Sequence, residues 1–133
     1  MEPKYHFPEG LSPQGPYTPV VEHNGLLYIS GQGTFQPETR QKFLEDDIAK
    51  QTQIAMTNLA NAAKSAGATL EKTIKVTIFT TRLRETAKIN EVYQSFFPNQ
   101  KPARSTIGVA ELPGGMLIEI EAIVALTNQY LPR

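Results

Sequence analysis

The chain of 133 residues contains no cysteine and no tryptophan. The missing thiols exclude disulfide frameworks, thiol nucleophiles and thiolate metal sites together. Histidine is scarce: His6 and His23 are the only two, and both lie near the start. A zinc site or a Ser-His-Asp triad would have to rely on one of them. Net charge is missing as well, with 13 basic and 13 acidic residues. A chain that grips phosphates carries a basic surplus, because each neutralised phosphate needs a Lys or Arg. Electroneutrality therefore argues against a general nucleic-acid binder and against a peripheral membrane protein. It also leaves copies of the chain without mutual repulsion, so self-association is unopposed. No apolar run approaches the roughly 20 residues of a membrane span, and Met1 to His6 has no signal-peptide core. The expectation is a soluble cytoplasmic protein folded as one domain over residues 1–133.

What is present is unevenly spread. Five of the ten prolines fall within the first 19 residues, which excludes a helix there. Residues 1–16 read as an extended Pro-rich arm, either a loose tail or a strap over the body or a neighbour. Tyr17, between Pro16 and Pro19, is a candidate pocket residue. His23-Asn24-Gly25 then separates two apolar runs. Asn-Gly tolerates positive φ at both positions, so two antiparallel strands are expected around it, with His23 in a solvent-facing turn. Gly31 and Gly33 close the second strand and permit close backbone approach. Ser30-Gly31-Gln32-Gly33 is not a phosphate loop, since no Gly-Lys pattern or following helix accompanies it.

Glu45 to Ala66 reads as a long helix with a stripe of Ile48, Thr52, Ala55, Leu59, Ala62 and Ala66. Gly67 is its natural stop. Thr73 to Thr80 is a strand, with Ile74, Val76 and Ile78 on one face. A second helix is expected over Glu85 to Phe97, its stripe formed by Ile89, Val92, Tyr93, Phe96 and Phe97. Asn90 lies at the edge of that stripe, and Pro98 ends the helix. The last third holds a strand from Arg104 to Val109, a type II turn at Pro113-Gly114, and a strand from Met116 to Leu126. That strand alternates: Met116, Ile118, Ile120, Ala122 and Val124 against Leu117, Glu119, Glu121, Ile123 and Ala125. Residues 127–133 form a polar tail expected to fray.

The order is β-β-α-β-α-β-β, an α+β two-layer design with both helices packed on one face of a mixed sheet. The uncovered face carries Thr73, Lys75, Glu119 and Glu121 among apolar residues. It faces water or another copy, and Leu117 and Ile123 favour a copy. If the last two strands paired as a hairpin around Pro113-Gly114, Arg104 would stand opposite residue 123 and Glu119 opposite residue 108, roughly 13 Å apart. Arg104 and Glu119 of one chain would then form no direct hairpin pair, which leaves a subunit interface as a place for them to meet.

Two residue types carry chemistry here. Arg104, at a strand start, can hold a small carboxylate by two parallel hydrogen bonds, or can form an ordinary surface ion pair. Glu119 and Glu121 share a face. A carboxylate on a partly apolar face can be tuned for proton transfer or water positioning, and on a solvated face it does neither.

Lys101-Pro102-Ala103-Arg104-Ser105-Thr106-Ile107-Gly108-Val109, Leu112-Pro113-Gly114-Gly115 and Ile118-Glu119-Ile120-Glu121-Ala122-Ile123 together resemble the C-terminal signature of the Rid family, the reactive intermediate deaminases. Gly15-Pro16-Tyr17, Tyr28-Ile29-Ser30-Gly31-Gln32 and Ile89-Asn90-Glu91-Val92-Tyr93 match in the same order, so the resemblance spans roughly residues 15 to 125. It implies a chorismate-mutase-like fold, a homotrimer with clefts between subunits, and cofactor-free hydrolysis of 2-enamino and 2-imino acids. 2-Iminopropanoate and 2-iminobutanoate would become 2-keto acids and ammonia. The resemblance places the substrate carboxylate on Arg104 and the attacking water near Glu119. It places Tyr17, Ser30, Gly31, Asn90 and Thr106 along the cleft and leaves Glu121 to structure or interface. Many members carry Cys where this chain has Thr106, so a role for a reactive thiol is excluded here.

An imine carbon is already electrophilic, so a carboxylate clamp, a placed water and solvent exclusion suffice, without a metal or covalent nucleophile. A different class of reading stays open: a small-carboxylate (2-keto acid) binding, sensing or interaction protein that uses the same cleft without turnover. Ribonuclease activity, a name the family has carried, fits poorly with zero net charge and no well-placed His.

Overall fold

The structure, a computed structural model, describes residues 2–10, 13 and 15–126. The tail over 127–133 lies outside the described residues. The chain runs β1 (Lys4–His6), β2 (Val20–His23), β3 (Leu26–Gln32), β4 (Phe35–Gln36), β5 (Gln41–Lys42), α1 (Ile48–Ser65), β6 (Thr73–Thr80), α2 (Thr86–Gln94), β7 (Ala103–Gly108) and β8 (Ile118–Ala125). Six strands form one mixed sheet in the order β1-β2-β3-β8-β6-β7, and β4 and β5 form a separate small ribbon. Both helices lie on one face of the large sheet, as the alternation predicts. The expected order of main elements is therefore observed. The additions are β1 within the arm and the short β4–β5 ribbon.

Local chemistry explains most boundaries. Asn24 at φ 50° and Gly25 at φ 78° make the tight turn that joins β2 to β3. His23 is not a solvent-facing turn residue, because it ends β2 opposite Leu26 and is partly buried. Helix α1 begins at Ile48 rather than Glu45. The Asp47 carboxylate accepts the Lys50 amide at 3.0 Å, so the acidic residues precede the helix as its cap. At the other end Gly67 adopts φ 90°. Its amide donates to Lys64 O, and the Ala68 amide donates to Ala63 O at 2.9 Å. Small side chains at Ala55, Ala62 and Ala63, all fully buried, let α1 press closely on β3 and β8. Helix α2 is regular only to Gln94, where i→i+3 bonds from Ser95, Phe96 and Phe97 tighten its last turn. Its predicted stripe is nonetheless inward, with Ile89, Tyr93 and Phe97 buried.

Two further expectations fail. Ile74 is 47% exposed, not a core residue. The register between β6 and β8 shifts between Thr73 and Lys75, and this irregularity turns Ile74 outward. The second failure concerns the C-terminal hairpin. β7 pairs in parallel with β6, and β8 pairs antiparallel with the opposite edge of β6. Thr80 and Thr81 at the end of β6 bind both flanks of the connection: the Val109 amide donates to Thr80 O and the Thr81 amide donates to Leu117 O. Gly114, at φ 68° and ψ 10°, has the torsions expected for the turn. The turn is thus present, but it carries the chain across the end of β6 instead of folding β7 onto β8.

This topology settles the sheet faces. Val76, Ile78, Ile118, Ile120 and Val124 point toward the helices and are fully buried. Tyr28, Lys75, Thr77, Glu119, Glu121 and Ile123 occupy the opposite, uncovered face.

Candidate active site

The cleft is built around an irregularity in β3. Ile29 stands opposite Ala122 and Gln32 opposite Ile120, so Ser30 and Gly31 together face the single residue Glu121. Such a bulge bends the strand and re-aims what lies beside it. A Cβ at Gly31 would overlap the Glu119 carboxylate, so only glycine lets that carboxylate lie against the strand. Gly33 plays the same part for the Met116 sulfur. The Asn58 amide of α1 donates to Gly33 O and Phe35 O, at 2.9 and 2.7 Å, and braces the chain leaving the bulge.

The segment that follows the proline-rich arm is fastened above the bulge. The Ser30 amide donates to Pro19 O at 2.9 Å, and Ser30 Oγ donates to Thr18 O at 2.6 Å. These bonds place Tyr17 beside Ser30. The resulting cleft has a volume of about 480 Å³, with Tyr17, Ser30, Gly31, Lys42, Glu119 and Glu121 on its walls. Phe35, Pro113 and Met116 supply its apolar surface. Within the arm, β1 adds an edge strand to the large sheet against β2.

Glu119 is half-buried, and its carboxyl is held above the ordinary carboxylate range. Burial is the main cause, and the Glu121 charge adds to it, while Lys42 pulls the other way. Among the described residues the Glu119 carboxylate makes no hydrogen bond or ion pair. A carboxylate in that state can accept a proton from a bound water. Neither Lys42 nor Met116 stood out in the sequence. Lys42 lies on a two-residue strand with no motif around it, and only the ribbon brings it to the cleft.

Arg104 is elsewhere. It lies on the edge strand β7 opposite Val76, so its side chain is on the helix-covered side of the sheet. Its Nη2 donates to Asn90 Oδ1 at 2.7 Å, and its guanidinium carbon sits 4.7 Å from the centre of the Tyr93 ring. Thr106, two residues along β7 and opposite Ile78, shares that side. The predicted residues thus form two groups. Tyr17, Ser30, Gly31 and Glu119 share the cleft, and Arg104, Asn90 and Thr106 share the β7 edge. Two strand spacings and three rows separate Arg104 from Glu119, a backbone distance of about 14 Å, and their side chains point to opposite faces. The inference that the two do not pair within one chain holds, but β6 is what separates them.

Among the described residues, no three His, Asp or Glu side chains converge as a resident metal would need. No helix among them is long and apolar enough to cross a membrane.

Comparison with known proteins identifies the family. Residues 8–126 match the family model described as Endoribonuclease L-PSP. The 2-iminobutanoate/2-iminopropanoate deaminase of Dermatophagoides farinae is 37% identical over 128 residues, covering 95% of this chain and 99% of that one. The chloroplastic Reactive Intermediate Deaminase A of Arabidopsis thaliana is 38% identical over 112 residues, covering 84% of this chain and 59% of that one. Among solved structures, a protein of the Rid family from Yersinia pestis superposes with a TM-score of 0.89 at 36% identity, covering 93% of this chain and 99% of that one. The cleft, the bulge at Ser30-Gly31 and the Arg104 edge therefore sit on a chain that belongs to the Endoribonuclease L-PSP family, the family of the reactive intermediate deaminases.

Proposed function

We propose that the chain hydrolyses the C=N bond of small 2-imino acids, among them 2-iminopropanoate and 2-iminobutanoate, at a cleft completed by a second copy. The observation that carries this reading is the half-buried Glu119 carboxylate seated on the Gly31 bulge, with no hydrogen-bonded partner among the described residues. In this reading the Arg104 of a neighbouring copy grips the substrate carboxylate by two parallel bonds. Glu119 takes a proton from water as the water oxygen adds to the imine carbon. That proton passes to the nitrogen to give an amino alcohol; the carboxylate then carries the hydroxyl proton to the nitrogen as the carbonyl forms and the C–N bond breaks, and a 2-keto acid and ammonia leave. Ser30 Oγ spends its only proton on Thr18 O, so it can offer lone pairs to the substrate N–H. Tyr17 closes the cleft from the arm, and Thr106 borders the clamp beside Arg104.

The shared site calls for an oligomer, and the reading takes it as a homotrimer. The apolar residues Tyr28, Ile107 and Ile123 on the uncovered sheet face support burial against another copy. No step calls on a cofactor. The cytoplasm is taken as the working compartment, a choice with which a cysteine-free chain is compatible. The family's ribonuclease name finds little support in this cleft. Among the described residues no histidine lines it to act as an acid or base in phosphodiester cleavage.

The test couples a pyridoxal-phosphate-dependent threonine dehydratase to the protein and traps the imine with semicarbazide. The wild type is expected to accelerate imine loss, and Arg104→Ala is not. A wild type that binds 2-oxobutanoate but leaves the decay rate at that of buffer would replace this reading with carboxylate binding alone.

A further inference from the structure

We infer that Tyr93 is the positioning residue of the carboxylate clamp: its ring is the seat that holds the Arg104 guanidinium in one plane. Arg104 projects from an edge strand on a long, flexible side chain, and left alone it would sample many rotamers. Two contacts restrain it, and both come from α2. Asn90 and Tyr93 are three residues apart and so share one side of the helix. Asn90 accepts a single bond, from Nη2 at 2.7 Å. One hydrogen bond fixes a point and leaves the guanidinium free to turn about it. The Tyr93 ring, with its centre 4.7 Å from the guanidinium carbon, removes that freedom. A cation over an aromatic face is attracted to the ring's negative quadrupole, and a planar guanidinium also stacks on it.

The seat is itself rigid. Tyr93 is only 5% exposed, and its ring centre lies 5.0 Å from that of Phe97 at an angle of 46°. The hydroxyl is buried with no hydrogen-bonded partner among the described residues. The ring is therefore what Arg104 uses, and a Phe would serve as well without an orphaned oxygen. Burial raises the Tyr93 hydroxyl above its ordinary pKa while Arg104 opposes it, as expected for a cation close to the ring. The restrained guanidinium then presents its remaining N–H groups in one plane, which two parallel bonds to a carboxylate require.

As a statement about catalysis the inference rests on the deaminase reading, so the experiment has an arm that does not. In the ¹H–¹⁵N spectrum of the wild type, the Arg104 Nε–H resonance, assigned by its loss in Arg104→Lys, is expected to be shifted upfield by the ring. The shift is expected to persist in Tyr93→Phe and in Asn90→Ala and to vanish in Tyr93→Leu. An unshifted wild-type resonance overturns the seat, whatever the protein's activity. In the imine assay, Tyr93→Leu is expected to raise KM about fivefold with kcat nearly unchanged, and Tyr93→Phe to restore it. A Tyr93→Phe loss equal to that of Tyr93→Leu overturns the inference.

Discussion

Replacing Gly31 with alanine tests the geometry of the cleft at its tightest point. The added Cβ would lie 2.7 Å from Glu119 Cδ and 2.8 Å from Cγ. Carbon atoms rest about 3.5–4.0 Å apart, so the carboxylate must move by about 1 Å. The obstructing atoms end a side chain, so the fold is expected to survive, at a destabilisation of about 1–3 kcal/mol typical of overpacking. Function is more sensitive. A displacement of about 1 Å at a reacting group costs on the order of 100-fold in rate, equivalent to about 2.7 kcal/mol of barrier. The assay is semicarbazide-trapped imine decay beside urea unfolding of the same preparations. The expected outcome is a folded Gly31→Ala protein with a rate about 100-fold lower. A folded variant with wild-type rates would show that the Glu119 position against the bulge does not matter, and the cleft mechanism would fall.

The remaining predictions concern charge and stability. Glu119 must be ionised to take a proton, so the rate falls as pH drops through its raised pKa. Lys42→Met removes a downward pull on that pKa and is expected to move the acid limb of the kcat profile to higher pH. Glu121→Gln removes an upward push and is expected to move the limb to lower pH; shifts in the reverse sense would show that another group controls it. Asp47→Ala deletes the cap on α1 and is expected to lower stability by about 1 kcal/mol, read as a lower urea midpoint with unchanged slope. Unaltered stability would mean that the Lys50 amide finds an equivalent partner.

How much of this was legible in the sequence depends on how local the signal was. Asn24-Gly25 dictates its own turn, and Gly67 its own helix end, so both were readable. The alternation along residues 118–125 named the buried and open faces of β8 residue by residue. The fate of the Pro113-Gly114 turn was different. Its torsions are set by its own residues, but whether the flanking strands pair depends on β6, more than 30 residues earlier. For the same reason the sequence singled out Arg104 and Glu119 as candidate chemical groups but did not place them on opposite faces of one sheet. Ser30-Gly31 reads as a strand end until Glu121 and Ile120 supply the register that makes it a bulge. Lys42 and the seat under Arg104 were illegible, since Tyr93 looks like any aromatic in a helical stripe until β7 brings an arginine onto it.

The central claim is that one cleft draws its carboxylate clamp from one chain and its water-placing carboxylate from another. Co-expression of Arg104→Ala and Glu119→Gln chains, each inactive alone, tests it most directly, with mixed assemblies verified by native mass spectrometry. Random mixing in a cyclic trimer leaves about one site in four with both residues intact, so about a quarter of wild-type imine hydrolysis is expected to return. Verified mixed trimers that remain inactive, or a protein that is monomeric and fully active, would contradict the account.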